Sequence, residues 1–273
     1  MITFPNAKIN LGLHIVEKRP DGFHNIETCF YPVNWCDIIE INESKKTTFR
    51  STGIAIPGNS NDNLCLKAFK LLQKDYQLPN VEIHLHKNIP IGAGLGGGSA
   101  DAAFVIKAIA QKYDLIFEND LLKFYASQIG SDCAFFIDNQ PSIAFEKGDV
   151  LSPIDLDLKG KYLVLVYPEI HIDTKTAYSG VNPRKPEQSI EQIVTNSPIN
   201  EWKNFLVNDF EKGIFQKFPE LEKIKSRLYD SGAMYAAMSG SGSTIFGIFD
   251  EEVDLKNSLP KNYRIWSEYL GHA

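Results

Sequence analysis

Nowhere does this sequence approach the roughly eighteen consecutive apolar residues a membrane-crossing helix needs. It has few cysteines: Cys29, Cys36, Cys65 and Cys133 form no CxxC pair and show no zinc-site spacing. Scattered cysteines argue against a disulfide framework and for a reducing, cytoplasmic setting. There is no excess of basic charge, with 28 Lys and Arg against 34 Asp and Glu. The net charge of −6 leaves a nucleic-acid partner unfavoured. Lys8 and Asn10 interrupt the first apolar run and no small-residue cleavage site follows, so no secretory leader is expected. Internal repeats and low-complexity tracts are absent as well. What remains is the composition of a soluble globular protein, long enough at 273 residues for two modest domains.

Residues 7–16 alternate, with Ala7, Ile9, Leu11, Leu13 and Ile15 on one face and Lys8, Asn10, Gly12 and His14 on the other. That pattern predicts a strand with one buried and one polar face. A Pro-Asp-Gly turn follows at 20–22, then further strand over 26–41. A helix is expected after an N-cap at Ser60 or Asp62, then a strand with Val81, Ile83 and Leu85 inward. Helices are predicted over about 99–113 and 119–129, the second closed by Gly130. A new strand begins near Tyr162, placing a domain boundary near 150–160. Residues 179–200 are polar and proline-punctuated and read as a mobile surface connection. A helix near 220–232, a hairpin around "SGSGS" and a last strand near 262–267 complete the chain. Strands and helices interleave without the buried parallel runs of a doubly wound sheet, so the class is α+β.

The densest feature is "NIPIGAGLGGGSADAAF", residues 88–104, with five glycines between 92 and 98. Gly92, Gly94 and Gly97 satisfy G-x-G-x-x-G, but the preceding strand has a polar face where a dinucleotide fold wants burial on both sides. A Walker loop fails because Gly98 stands where its lysine belongs. A third reading is a cradle of backbone amides facing an anion, at the mouth of a helix starting near Ser99. Its plain rival is a glycine-rich turn capped by Ser99.

"PIGAGLGGGSADAA" resembles the phosphate-binding motif of the GHMP small-molecule kinases, P-x-x-x-G-L-G-S-S/G-x-A. Two further segments match one branch of that family, "NAKINLGLHIVEKRPDGFH" at 6–24 and "MSGSGST" at 238–244. The resemblance thus runs from residue 6 to about 249, and the three motifs together are specific. That branch phosphorylates a cytidine diphosphate-linked polyol in the non-mevalonate route to isoprenoid precursors. The resemblance implies an N-terminal α/β domain, residues 1–155, with a left-handed βαβ unit. A C-terminal ferredoxin-like domain, 156–273, would follow, with ATP and acceptor in the cleft between them. ATP and Mg2+ are the implied cofactors, in a monomer or homodimer, with no dedicated metal ligands.

Taken alone, Lys8 reads as a solvated lysine and Asp132 as a cap or Asx-turn residue. The resemblance makes Lys8 and Asp132 the catalytic pair, with Asp132, in "GSDCAFF", accepting the hydroxyl proton. It assigns the nucleotide to Pro90, Ile91, Gly92, Ala93, Gly94, Leu95, Gly96, Gly97, Gly98, Ser99 and Ala100, with Asn63 near the adenosine. On the acceptor side it implies Asn10, the cytidine-contacting His24, Lys87 and the turn at Gly240. Tyr31 and Tyr178 are candidates to stack on a pyrimidine, although each alone reads as an ordinary tyrosine. His84 and His86 imitate a metal pair but are read as a solvated strand face. Ala93, Ala100, Cys133, Ala134 and Phe23 depart from the residues frequent in the family. A kinase for homoserine, mevalonate derivatives or sugars would lack the K-R-P-D-G-F-H element. A regulator without catalysis would have no reason to keep both Lys8 and Asp132.

Overall fold

A computed structural model describes residues 1–255 and 258–271. Its first strands are β1 (Ile2–Thr3), β2 (Asn6–Lys18), β3 (His24–Cys36), β4 (Ile38–Glu43), β5 (Thr48–Gly53) and β6 (Val81–Lys87). The later ones are β7 (Ser142–Phe145), β8 (Val150–Pro153), β9 (Tyr162–Tyr167), β10 (Tyr235–Met238), β11 (Ile245–Phe249) and β12 (Arg264–Tyr269). Four helices come before β7: α1 (Leu64–Tyr76), α2 (Gly97–Lys112), α3 (Asn119–Ser127) and α4 (Phe135–Asp138). Four more follow β9: α5 (Thr174–Tyr178), α6 (Ile190–Asn196), α7 (Glu211–Lys217) and α8 (Pro219–Asp230). The chain divides into two units, the first made of Met1–Lys8, Asn34–Ile91 and Gly96–Gln140. The second comprises Ile9–Val33, Gly92–Leu95 and Pro141–Ala273.

In the first unit the sheet order is β1-β4-β6-β5, with β6 antiparallel to β4 and parallel to β5. The parallel pair is joined through α1, which makes a βαβ unit inside a mixed sheet. Val81, Ile83 and Leu85 are buried and His86 is exposed, as the alternation requires. Thr52 Oγ1 lies 2.9 Å from His84 Nε2 and 3.0 Å from His86 Nδ1, so both rings belong to the strand surface. On α2 the small Ala100, Ala102 and Ala103 precede Val105, Ile106 and Ile109, and all six are buried. Phe69 and Leu72 of α1 add the facing apolar stripe.

The second unit contains two sheets, β2-β3-β7-β8 and β10-β11-β9-β12. In the latter the neighbours are antiparallel and the order by chain is second, third, first, fourth. That is the ferredoxin-like arrangement, with α5–α8 inserted between the first two strands. No helix connects β11 to β12 among the described residues. Leu13, Ile15, Val164, Met238 and Ile245 share one core with Leu221, Ile224 and Leu228 of α8.

Four expectations change. The N-cap of α1 is Asn63, whose side chain accepts from Cys65 N–H, while Ser60–Asp62 form a separate 3-10 turn. Gly130 has φ −177°, an extended conformation, and does not close α3 in the left-handed form. The polar face of β2 is not solvated: Lys8, Asn10 and His14 are all buried. Part of the cover comes from the segment expected to be mobile, since a Cβ on Gly12 would lie 3.2 Å from Ile190, with Leu206 beyond that segment at 2.5 Å. Ile190, Ile193 and Val194 form a buried i, i+3, i+4 stripe on α6, which Ser189 and Gln192 close with a capping box. Surrounding prolines mask this short stripe in a reading by composition.

Candidate active site

The glycine loop enters α2 through Gly96, whose φ of +69° a side chain would strain. The helix starts at Gly97, two residues before the expected Ser99, and its N-cap makes no side-chain hydrogen bond. The first helical bond is Ala100 N–H to Gly96 C=O, 2.9 Å, so the amides of Gly97, Gly98 and Ser99 precede the ladder. A Cβ on Gly96 would meet Phe136 at 3.0 Å and the Lys8 stem at 3.1 Å. One on Gly97 would meet Ile89 at 2.9 Å and Lys87 Nζ at 3.1 Å. At Gly98 only Leu64 comes near, at 3.6 Å, which is ordinary contact.

Beside this turn, Lys8 Nζ lies 3.7 Å from Asp132 Oδ2. The lysine projects from the first residues of β2, and Asp132 from the 3-10 turn Ser131–Ala134 before α4. Burial pushes the Lys8 ammonium below its ordinary pKa, and the Asp132 carboxylate opposes that fall. The side chain of Asn63 is committed to capping α1, whose first residue, Leu64, faces Gly98. Lys87 is enclosed, with Nζ 2.6 Å from both Asp37 Oδ2 and Asp101 Oδ2. Burial works against its charge, yet the two carboxylates hold it above its ordinary value.

In the second unit, Gly92–Leu95 run against the serine-glycine turn between β10 and β11. A Cβ on Gly94 would lie 2.0 Å from Ser239 O, and one on Gly92 2.7 Å from the His171 ring. Thr244 N–H bonds Ala93 C=O at 3.2 Å, and Ser239 Oγ donates to Gly94 C=O at 2.8 Å. Ser239 Oγ in turn accepts from Asn10 N–H at 3.2 Å. Asn10 Nδ2 donates to Thr28 Oγ1 at 3.0 Å, and Gly240 lies with its Cβ position 3.2 Å from Asn10 Oδ1. Asn208 Nδ2 supports the turn by donating to Met238 and Gly240 carbonyls, each at 2.8 Å. His24 and Tyr178 stack with ring centroids 4.6 Å apart. Burial, with Lys18 nearby, lowers the His24 pKa and favours the neutral ring. Tyr31 is 7% exposed, and burial pushes its phenol up to about 12.

Within the first unit the structure therefore joins Lys8, Asp132 and Gly96, and separately Lys87 and Gly97. Within the second it joins Asn10, Gly94 and Gly240, and separately His24 and Tyr178. Sequence reasoning missed Ser239, although it stands inside "MSGSGST", and missed Asp37, Asp101 and Asn208. Asp101 was within the quoted glycine motif; nothing local marks Asp37 or Asn208. The unladdered amides at the start of α2, with no Cβ from Gly96 to Gly98, suit the oxygens of a phosphate. Among the described residues no group of three or more His, Cys, Asp or Glu could hold a metal ion. No described helix is long and apolar enough to cross a membrane.

The GHMP kinases N terminal domain matches residues 63–146, and the GHMP kinases C terminal domain matches 190–265. The chain is 53% identical over 251 residues to the 4-diphosphocytidyl-2-C-methyl-D-erythritol kinase of Cytophaga hutchinsonii, covering 92% of this chain and 93% of that one. It is 49% identical over 271 residues to the enzyme of the same name from Parabacteroides distasonis, covering 99% and 100%. A crystal structure of 4-(cytidine 5'-diphospho)-2C-methyl-D-erythritol kinase superposes with a TM-score of 0.81 at 29% identity, covering 98% of both chains. The resemblance carried by the three motifs is borne out, and so is the two-domain α+β fold. By sequence along nearly its whole length and by fold, the chain belongs to the GHMP kinase family.

Proposed function

We propose that this chain is the ATP-dependent kinase that phosphorylates the 2-hydroxyl of 4-diphosphocytidyl-2-C-methyl-D-erythritol, giving the 2-phosphate and ADP. The observation that carries the chemistry is the Lys8–Asp132 pair lying beside Gly96 at the uncapped start of α2. The acceptor assignment draws on relatives of that name at about half identity along most of the chain.

Asp132, 32% exposed, is the group an acceptor hydroxyl can reach, and it takes the proton as the oxygen attacks phosphorus. Lys8, held behind it, orients that carboxylate and stabilises charge on the reacting oxygens. The amides of Gly97, Gly98 and Ser99 hold the phosphates of ATP, and the run from Pro90 to Ala100 shapes their seat. ATP supplies the transferable phosphoryl group, and Mg2+ would accompany it and offset phosphate charge, without a dedicated side-chain cage. Asn63 acts near the adenosine through the start of α1. Asn10 and the Gly240 turn orient the acceptor, while His24 and Tyr178 take the cytosine. A neutral His24 can donate to and accept from that base. The acidic balance and four free cysteines support a cytoplasmic enzyme acting on a small molecule rather than nucleic acid.

The test is ADP release with Mg-ATP and, in parallel, the cytidyl substrate, homoserine and mevalonate, with Asp132→Asn as control. Turnover confined to the cytidyl substrate and lost in the variant is expected. Turnover on another alcohol would sink the acceptor assignment and keep the kinase; ATP binding without any turnover would leave a regulator on this fold.

A further inference from the structure

Three buried ionisable side chains meet at the two ends of the glycine loop. Lys87 is the last residue of β6, which leads into the loop, and Asp101 is the fifth residue of α2, which leads out of it. Asp37 stands at the corner between β3 and β4. The Lys87 ammonium lies 2.6 Å from a carboxylate oxygen of each aspartate. The second oxygen of Asp37 accepts from the backbone N–H of Asn88 at 2.6 Å and of Ile89 at 2.8 Å, the residues that open the loop. The second oxygen of Asp101 has no hydrogen-bond partner, so Lys87 is the donor that ties this carboxylate, and α2 with it.

Side-chain exposures are 3% for Lys87, 0% for Asp37 and 5% for Asp101. Burying three ionisable groups is costly, and apolar residues of similar volume often give equal or greater stability in such a place. Stability alone therefore does not account for the arrangement. Its position does. Between these anchors the loop carries Gly92, Gly94 and Gly96 at positive φ, residues that lose the most freedom on ordering. Fixing both ends to one ammonium restricts that freedom before any ligand arrives.

We propose that Asp37, Lys87 and Asp101 are positioning residues that clamp both ends of the glycine loop, presetting the amides at the start of α2 for a triphosphate. This rests on the reading of that loop as the phosphate site. None of the three needs to touch the nucleotide.

Calorimetric titration with ATP, and with adenosine as a ligand lacking phosphates, tests it. Lys87→Met is expected to weaken ATP at least tenfold and leave adenosine unchanged. Loss of stability in that variant is separated by Lys87→Met/Asp101→Leu, which also removes the carboxylate that Lys87 alone ties, while Asp37 keeps the Asn88 and Ile89 amides. The double variant should melt within a few degrees of the parent and still bind ATP at least tenfold more weakly. Recovery of ATP affinity together with stability would overturn the clamp and leave the triad a stabilising feature alone. Gly98→Ala, which the fold accommodates, tests the underlying reading. If it leaves ATP affinity unchanged, the loop is not the phosphate site and the clamp falls with it. If it weakens ATP while both Lys87 variants bind normally, the clamp alone is wrong.

Discussion

Lys8 Nζ stands 3.7 Å from Asp132 Oδ2, with the lysine 4% exposed and the aspartate 32%. The cation is inside and the carboxylate faces out, so the acid is open to an acceptor while its counter-ion is not. Asp132→Asn should lower turnover by about 10²–10⁴, the usual worth of a positioned general base. ATP affinity should stay within a few-fold, measured by titration. Turnover within a few-fold of the parent would remove Asp132 from the role of base.

Lys8→Arg should not rescue Lys8→Met. The lysine stem passes 3.1 Å from the Cβ position of Gly96, and Phe136 crowds the same place. A planar guanidinium has a different shape and donor geometry from a compact ammonium. Steady-state turnover of both variants checks this, and near-normal activity in the arginine variant would show that charge alone suffices.

The glycines of the loop are not equivalent. At Gly94 a Cβ would overlap the Ser239 carbonyl at 2.0 Å with φ at +79°, whereas at Gly98 it meets Leu64 at 3.6 Å in a helix. Gly94→Ala should therefore lower the melting temperature by many degrees or prevent folding. Gly98→Ala should melt near the parent and yet lose ATP affinity, because it crowds the proposed phosphate seat. Thermal melts of the two separate the packing glycine from the binding one.

Tyr178→Ala should raise KM for the cytidyl acceptor about tenfold with little change in KM for ATP, on the scale of base–aromatic stacking. Because the His24 pKa is lowered, its ring is neutral at pH 7 and protonates only as pH falls below the ordinary histidine range. KM for the acceptor should be flat above neutrality and rise on acidification. A His24→Gln variant that keeps the same acidic rise would assign it elsewhere.

Burial raises the Asp101 carboxyl to about 8 despite the Lys87 ammonium beside it. Between about 4 and 8 the unfolded chain then carries the ionised acid while the folded one keeps its proton. The unfolded state binds fewer protons over that window, so stability falls as pH rises, by at most about 1.4 kcal/mol per pH unit, and levels off above 8. Asp101→Asn has no such group. The melting temperature of the parent relative to this variant should decline from pH 5 to pH 8, and a parallel pair of curves would refute the shift.

The sequence by itself determined what depends on neighbours along the chain. The period-2 alternation placed β6 and its buried Val81, Ile83 and Leu85, and the polar stretch around "SGSGS" placed the β10–β11 turn. The glycine run suggested an anion cradle, and motif resemblance singled out Lys8 and Asp132, which the fold holds 3.7 Å apart. Tertiary structure decided burial and partnership. At Gly12 the polar face of β2 is interior because Leu206 and Ile190 return to cover it, nearly two hundred residues later. Gly94 is glycine because the Ser239 carbonyl approaches it, and Lys87 is enclosed because Asp37 and Asp101 converge on it. A sequence pattern reports the face on which a side chain emerges; only the packed fold supplies the distant group that it meets there.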